Sequence, residues 1–240
     1  MKRRLSILLF GLVAASATAV VALAANNKPE TIRFTAAGQA AARAAVLRSR
    51  ADLRGLGPWR GGLVKWTQTA PPACTRHPVD LSRLVVTGAA RSAWSGTLTR
   101  WNGINGGPDV VVDVSSEAEV FQNKEMAEAS WGLPGAAMTP LCFSKQVAKA
   151  LAAQGIKYLS DEPLEVASQW SDQLPDFPPH IAATRVWANR AGVRTVVLLV
   201  SVYKGRTVVD LAVMGPAAKN GAIEVAAAGW EIKLALRIPG

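Results

Sequence analysis

The spacing of apolar positions changes several times along the chain, and each change marks an element. Ala42, Val46, Ser49 and Leu53 share one face at helical spacing in an Ala-rich stretch, and Thr35 stands where an N-cap is needed. This predicts a helix from Thr35 to about Leu53, with Arg43, Arg50 and Arg54 stacked on its wet side, stopped by Gly55, Gly57 and Pro58. Short β segments follow. Gly62–Thr69, Leu84–Trp94 and Gly96–Trp101 predict strands, the last two as a hairpin, before a Gly/Asn-rich turn over 102–109. Val110, Val111, Val112 and Val114 predict a buried strand running to about Phe121. Helices are expected over Asn123–Trp131 and Thr139–Gln154, separated by the loop Gly132-Leu133-Pro134-Gly135. Phe143, Val147, Ala150 and Leu151 form the inward face of the second.

The second half reads as a meander. Strands are expected over Ile156–Val166, Ile181–Ala188, Val193–Tyr203 and Arg206–Met214, with a Pro-rich interruption over 174–180. Turns fall at Asn189–Gly192 and Lys204-Gly205. Val196–Val200 is apolar on both faces, which predicts a central strand covered from both sides. At the C-terminus, Ile223, Ala227, Trp230 and Leu234 fit a helix face, whereas Glu231–Ile238 alternates like a strand; the Ala-rich composition favours the helix. Helix, strands, two helices, meander and a last helix together predict an α+β fold, an antiparallel β-sheet with helices packed on it.

The ends set the expected compartment. Lys2, Arg3 and Arg4 precede an uncharged run from Leu5 to Val21, and Ala22-Leu23-Ala24 offers a small-x-small cleavage site. Residues 1–24 therefore read as a signal peptide, with an uncleaved anchor as the alternative, since the run approaches the roughly 20 residues that span a bilayer. Residues 25–33 read as a linker and 34–240 as a single globular extracytoplasmic domain of an exported protein, secreted or associated with the envelope. Membrane attachment is expected only through an uncleaved N-terminal segment.

Half of the residues are hydrophobic and 18% are charged, enough apolar material for a sizeable core. The formal charge is +10, and removing the three n-region cations leaves about +7. That excess favours an anionic envelope component or a protein partner, while the lack of a basic run after Arg4 speaks against nucleic acid. Two cysteines in an exported chain point to one disulfide, Cys74–Cys142, with two buried free thiols as the alternative. Two Cys and two distant His are too few ligands for a zinc site, so no metal or cofactor is expected.

No nucleophile elbow, His-Glu-x-x-His, phosphate loop or Cys-x-x-Cys occurs. His77 near Asp80 and His180 near Asp176 sit in Pro-flanked loops, and Ser115-Ser116-Glu117 and Asp161-Glu162 read as turn and capping residues. No catalytic residue is therefore assigned. Eight tryptophans spread along the chain mostly serve a core. The binding candidates are Arg91, Trp94, Arg100 and Trp101 around the expected hairpin, where cation and indole together suit an anionic or glycan ligand. The alternative there is a strand pair with one buried and one covering Trp.

Several residues carry a resemblance: Arg50-Ala51-Asp52-Leu53 with Gly57-Pro58-Trp59, Cys74, and Asp80-Leu81-Ser82-Arg83-Leu84-Val85-Val86-Thr87-Gly88. Val120-Phe121 before an Ala-rich helix ending near Trp131, and then Cys142, continue it. Together they resemble secreted proteins of actinobacteria. More loosely, they resemble the PsbP/Mog1-like extracytoplasmic sensor domains attached to actinobacterial serine/threonine kinases and their lipoprotein relatives. The resemblance implies an α/β/α sandwich around an antiparallel sheet, and ligand or partner binding without catalysis. The expected function is a non-catalytic, sensor-like binding domain for an envelope-associated ligand or protein partner; the alternative is a secreted hydrolase acting on envelope material.

Overall fold

The pairing of strands decides where every other element can lie. The computed structural model describes residues 27–49, 52–53, 58–69, 74, 79–98, 110–137, 139–164 and 180–238. The elements are β1 (Thr31–Ile32), α1 (Ala36–Ala45), β2 (Arg60–Val64), β3 (Val85–Leu98), β4 (Val110–Phe121), α2 (Lys124–Ala137) and α3 (Pro140–Ala152). They continue with β5 (Ile156–Leu164), β6 (His180–Arg190), β7 (Val193–Lys204), β8 (Thr207–Pro216), a 3₁₀ turn at Ala217–Lys219 and α4 (Asn220–Arg237). The described strands form one sheet in the order β1-β3-β4-β8-β7-β6-β5, with β2 beside the far end of β3. All pairings are antiparallel except β1 with β3. The fold is α+β, as the order of elements requires.

Because side chains alternate across a strand, the sheet presents two different faces. One is closed. Trp94, Val112, Val114, Ala118, Val120, Leu198, Leu211 and Val213 project to it and meet Ala42 and Ala45 of α1 and Ile223, Ala227, Trp230 and Leu234 of α4 in a single buried core. The other face lies under α2 and α3 and holds two smaller cores. Phe121, Ala127, Tyr203 and Val208 pack at the α2 end, and Leu151, Ile156, Val186 and Met214 at the α3 end.

Local chemistry fixes the helix ends. The Thr35 side chain accepts from Gly38 N at 3.0 Å, the Asn123 side chain from Met126 N at 2.9 Å, and the Thr139 hydroxyl from Cys142 N at 3.1 Å. Helix α1 lies so close to β3 that a Cβ on Gly88 would stand 2.0 Å from the Gly38 carbonyl oxygen, so only glycine fits there. The turn between β6 and β7 is formed by Ala191 and Gly192, both at positive φ, as a two-residue hairpin requires.

Four expectations are corrected. Helix α1 stops at Ala45 instead of Leu53, because Val46 and Leu47 turn into the closed core. There Leu47 N donates to Ser116 Oγ at 2.9 Å, and Leu47 O accepts from the Trp94 indole at 3.0 Å. The expected hairpin across Ser95-Gly96 is one continuous strand, β3, with β2 along part of its edge. Gly96 does not turn the chain; it leaves room for the Trp59 ring, which a Cβ would meet at 2.4 Å. The loop expected over 132–135 is helical, within α2. The β7–β8 turn is Gly205-Arg206, one residue later than expected, because Lys204 still pairs with Thr207. The proposed signal segment, the 102–109 turn and the Pro-rich 174–179 lie outside the described residues.

Candidate functional site

Helices α2 and α3 cover opposite ends of their face of the sheet, and between them a cavity of about 940 Å³ opens. Its floor is a row of side chains set by strand register. Arg91 on β3 pairs with Glu117 on β4, Glu117 with Asp210 on β8, and Asp210 with Ser201 on β7. Trp131 of α2, Phe143 of α3 and Leu199 of β7 make the apolar part of the wall. At its rim Asp161 accepts hydrogen bonds from Ser144 Oγ at 2.6 Å and from the Tyr158 hydroxyl.

Arg91 is only 7% exposed. Its sole ion pair among the described residues is with Glu117, at 3.8 Å, and no hydrogen bond to its guanidinium accompanies it. Asp210 differs. Its side chain is exposed to the cavity it lines. Desolvation by the surrounding protein raises its pKa, opposed by the Ser201 hydroxyl, and among the described residues no cation acts on it. Burial also pushes Glu117 up to about 7, with Arg91 opposing and the Asp210 charge adding. Glu119, on the same face of β4, is raised well above the usual range by burial and by the charges of Glu30, Glu117 and Asp210. The Trp66 indole faces Glu117 without closing a hydrogen bond of ordinary geometry, and the Trp131 indole N–H is buried and also unpartnered among the described residues.

Among the described residues no group of three or more His, Cys, Asp or Glu is placed to hold a metal ion.

The sequence candidates divide. Arg91 lines the cavity. Trp94, three positions on, projects to the opposite face and is buried at 5% exposure, so the two do not form one site. Arg100 and Trp101 lie outside the described residues, as does His77. His180 opens β6 in an exposed position, its ring 5.6 Å from Trp131 and 5.2 Å from Tyr203. Cys74 and Cys142 form the disulfide, with Cα atoms 5.4 Å apart, and so tie α3 to residue 74.

Glu117 and Asp161, expected in turns, lie within β4 and β5 instead. Asp210 and Ser201 were not singled out by sequence at all. The available signal was an acid inside the apolar run Thr207–Met214, and the alternation of β4. Its Asp113, Ser115, Glu117 and Glu119 share one face, opposite Val112, Val114 and Val120.

Comparison with known proteins adds little. No family model and no curated protein matches the chain. Among solved structures, a Pseudomonas aeruginosa protein of unknown function aligns at 12% identity over 75% of this chain and 96% of that one, with a TM-score of 0.25. A likeness of that size carries no argument about fold or function.

Proposed function

We propose that the protein is a non-catalytic, extracytoplasmic binding domain whose ligand occupies the cavity between α2 and α3. The observation that carries this reading is the cavity itself. About 940 Å³ lies at the upper end of the range for small-molecule sites, with apolar walls and a few polar groups converging on the floor. The disulfide is compatible with an oxidising compartment outside the cytoplasm. The PsbP/Mog1-like resemblance favours sensing or partner recognition over turnover.

The test uses a neutral apolar fluorophore, N-phenyl-1-naphthylamine. Saturable binding is expected, and Ala212→Phe, which fills the middle of the cavity, should abolish it while leaving the far-ultraviolet circular dichroism intact. Unsaturable binding, or binding indifferent to Ala212→Phe, would sink the reading. The hydrolase alternative would use Glu117 and Asp210 as its acid pair. Turnover of wall glycan or peptide, lost on Glu117→Gln, would put it first.

A further inference from the structure

The cavity floor contains two charges that the protein itself leaves incompletely matched. Arg91 is more than nine-tenths buried, lines the cavity and makes no hydrogen bond among the described residues, although its guanidinium carries five N–H donors. A buried guanidinium ordinarily has these donors satisfied, because each unmet donor costs free energy. Its 3.8 Å contact with Glu117 is an ion pair too long to be a hydrogen bond. One strand further along the row, Asp210 faces the cavity with the Ser201 hydroxyl as neighbour and no cation acting on it among the described residues.

Neither deficit can correct the other. Glu117 stands between Arg91 and Asp210 in the row and already occupies the guanidinium side. We infer that the ligand is a small zwitterion of dipeptide type, its carboxylate received by Arg91, its ammonium by Asp210, and its apolar side chains by Trp131, Phe143 and Leu199. This rests on the cavity being the ligand site.

Three features select that class. The first is charge: a simple anion would leave Asp210 without a cation, and a simple cation would leave the Arg91 donors unused. The second is spacing. Adjacent strands are about 5 Å apart, so the guanidinium beside Glu117 and the Asp210 carboxylate stand roughly 5–9 Å apart. Two extended residues span up to about 7 Å, so each ligand charge can sit directly over its protein partner, whereas a single α-amino acid reaches both only from a position between them. The third is the wall. Trp131, Phe143 and Leu199 offer apolar surface to the side chains of the ligand.

The ligand-side experiment needs no altered protein, so it does not depend on any variant folding. Displacement of N-phenyl-1-naphthylamine is measured with phenylalanyl-leucine, its C-terminal amide, its N-acetyl derivative and free phenylalanine. The dipeptide should displace the probe at least tenfold more tightly than each of the other three. Asp210→Asn should erase its advantage over the N-acetyl form, and Arg91→Met its advantage over the amide.

If the amide equals the dipeptide, Arg91 receives no carboxylate and the inference is overturned. If the N-acetyl form equals it, Asp210 receives no ammonium, with the same result. If free phenylalanine equals it, the spacing argument fails. A dipeptide that leaves the bound probe in place overturns the inference while the cavity reading stands; a probe that never binds removes both.

Discussion

The two faces of the sheet are built from the same strands, yet they are organised on different principles. On the closed face, α1 and α4 lie side by side and seal one core, in which Trp59 and Trp230 meet edge to face at 5.7 Å. Ser92 and Ser116 share a hydrogen bond there at 2.9 Å. On the open face, α2 and α3 cover only the ends, and the middle of the sheet carries Arg91, Glu117, Asp210 and Ser201 beneath a cavity. A sheet needs one well-packed face to be stable. Once α1 and α4 supply it, the other face can carry charges that would otherwise be intolerable in an interior.

That contrast can be broken by mutation, and the largest effect belongs to the closed face. Trp230→Ala should cost about 5 kcal/mol, at the upper end for such truncations, because it opens a cavity and removes the ring contact with Trp59. Denaturant unfolding monitored by circular dichroism measures it. A loss below about 2 kcal/mol would mean that the closed face does not dominate stability.

Next comes the disulfide, which anchors the open side. Reduction, or Cys74→Ser with Cys142→Ser, should cost about 4 kcal/mol for a separation of 68 residues on the chain-entropy account. It should also weaken probe binding, because α3 carries Phe143. Unchanged melting on reduction would show that α3 is held by packing alone.

A pH series separates the faces further. Glu231 is buried on α4, one carboxylate oxygen has no partner among the described residues, and burial pushes its pKa up to about 7 from an ordinary 4.5. The folded chain therefore holds this proton more tightly than the unfolded one. The stabilisation is fully present below about pH 4.5 and is lost as pH rises through 7. Glu231→Gln should flatten that dependence and gain about 3 kcal/mol at pH 8, with little change at pH 4. A variant curve parallel to the parent's would assign the pH dependence to the open-face acids.

The smallest effect is expected on the cavity wall. Phe143 is half-buried against space that already exists, so Phe143→Ala should cost no more than about 1 kcal/mol in stability while weakening probe binding. A cost of several kcal/mol would mean that the wall is packed core.

Local periodicity was enough to reveal most elements. The Val-rich start of β4, the apolar run in β7 and the Thr139 cap of α3 each depend on neighbours in the chain, so the sequence displays them directly. The ambiguous C-terminal segment is a helix because Ile223, Ala227, Trp230 and Leu234 all find the same core. Where packing overrode propensity, the reading failed. Ala-rich sequence past Ala45 would continue a helix, but the burial of Val46 and Leu47 decided otherwise.

The sequence by itself determined the α+β class, the alternation that gives the sheet two unlike faces, and the presence of two cysteines able to pair. Tertiary structure alone decided the site. Arg91, Glu117, Asp210 and Ser201 come from four strands, and Asp210 stands 93 residues along the chain from Glu117, its partner on β4. Only the register of β3, β4, β8 and β7 places them in one row, and only the gap between α2 and α3 leaves that row open. Register is fixed by burying the closed face against α1 and α4, a condition that no local window of sequence contains.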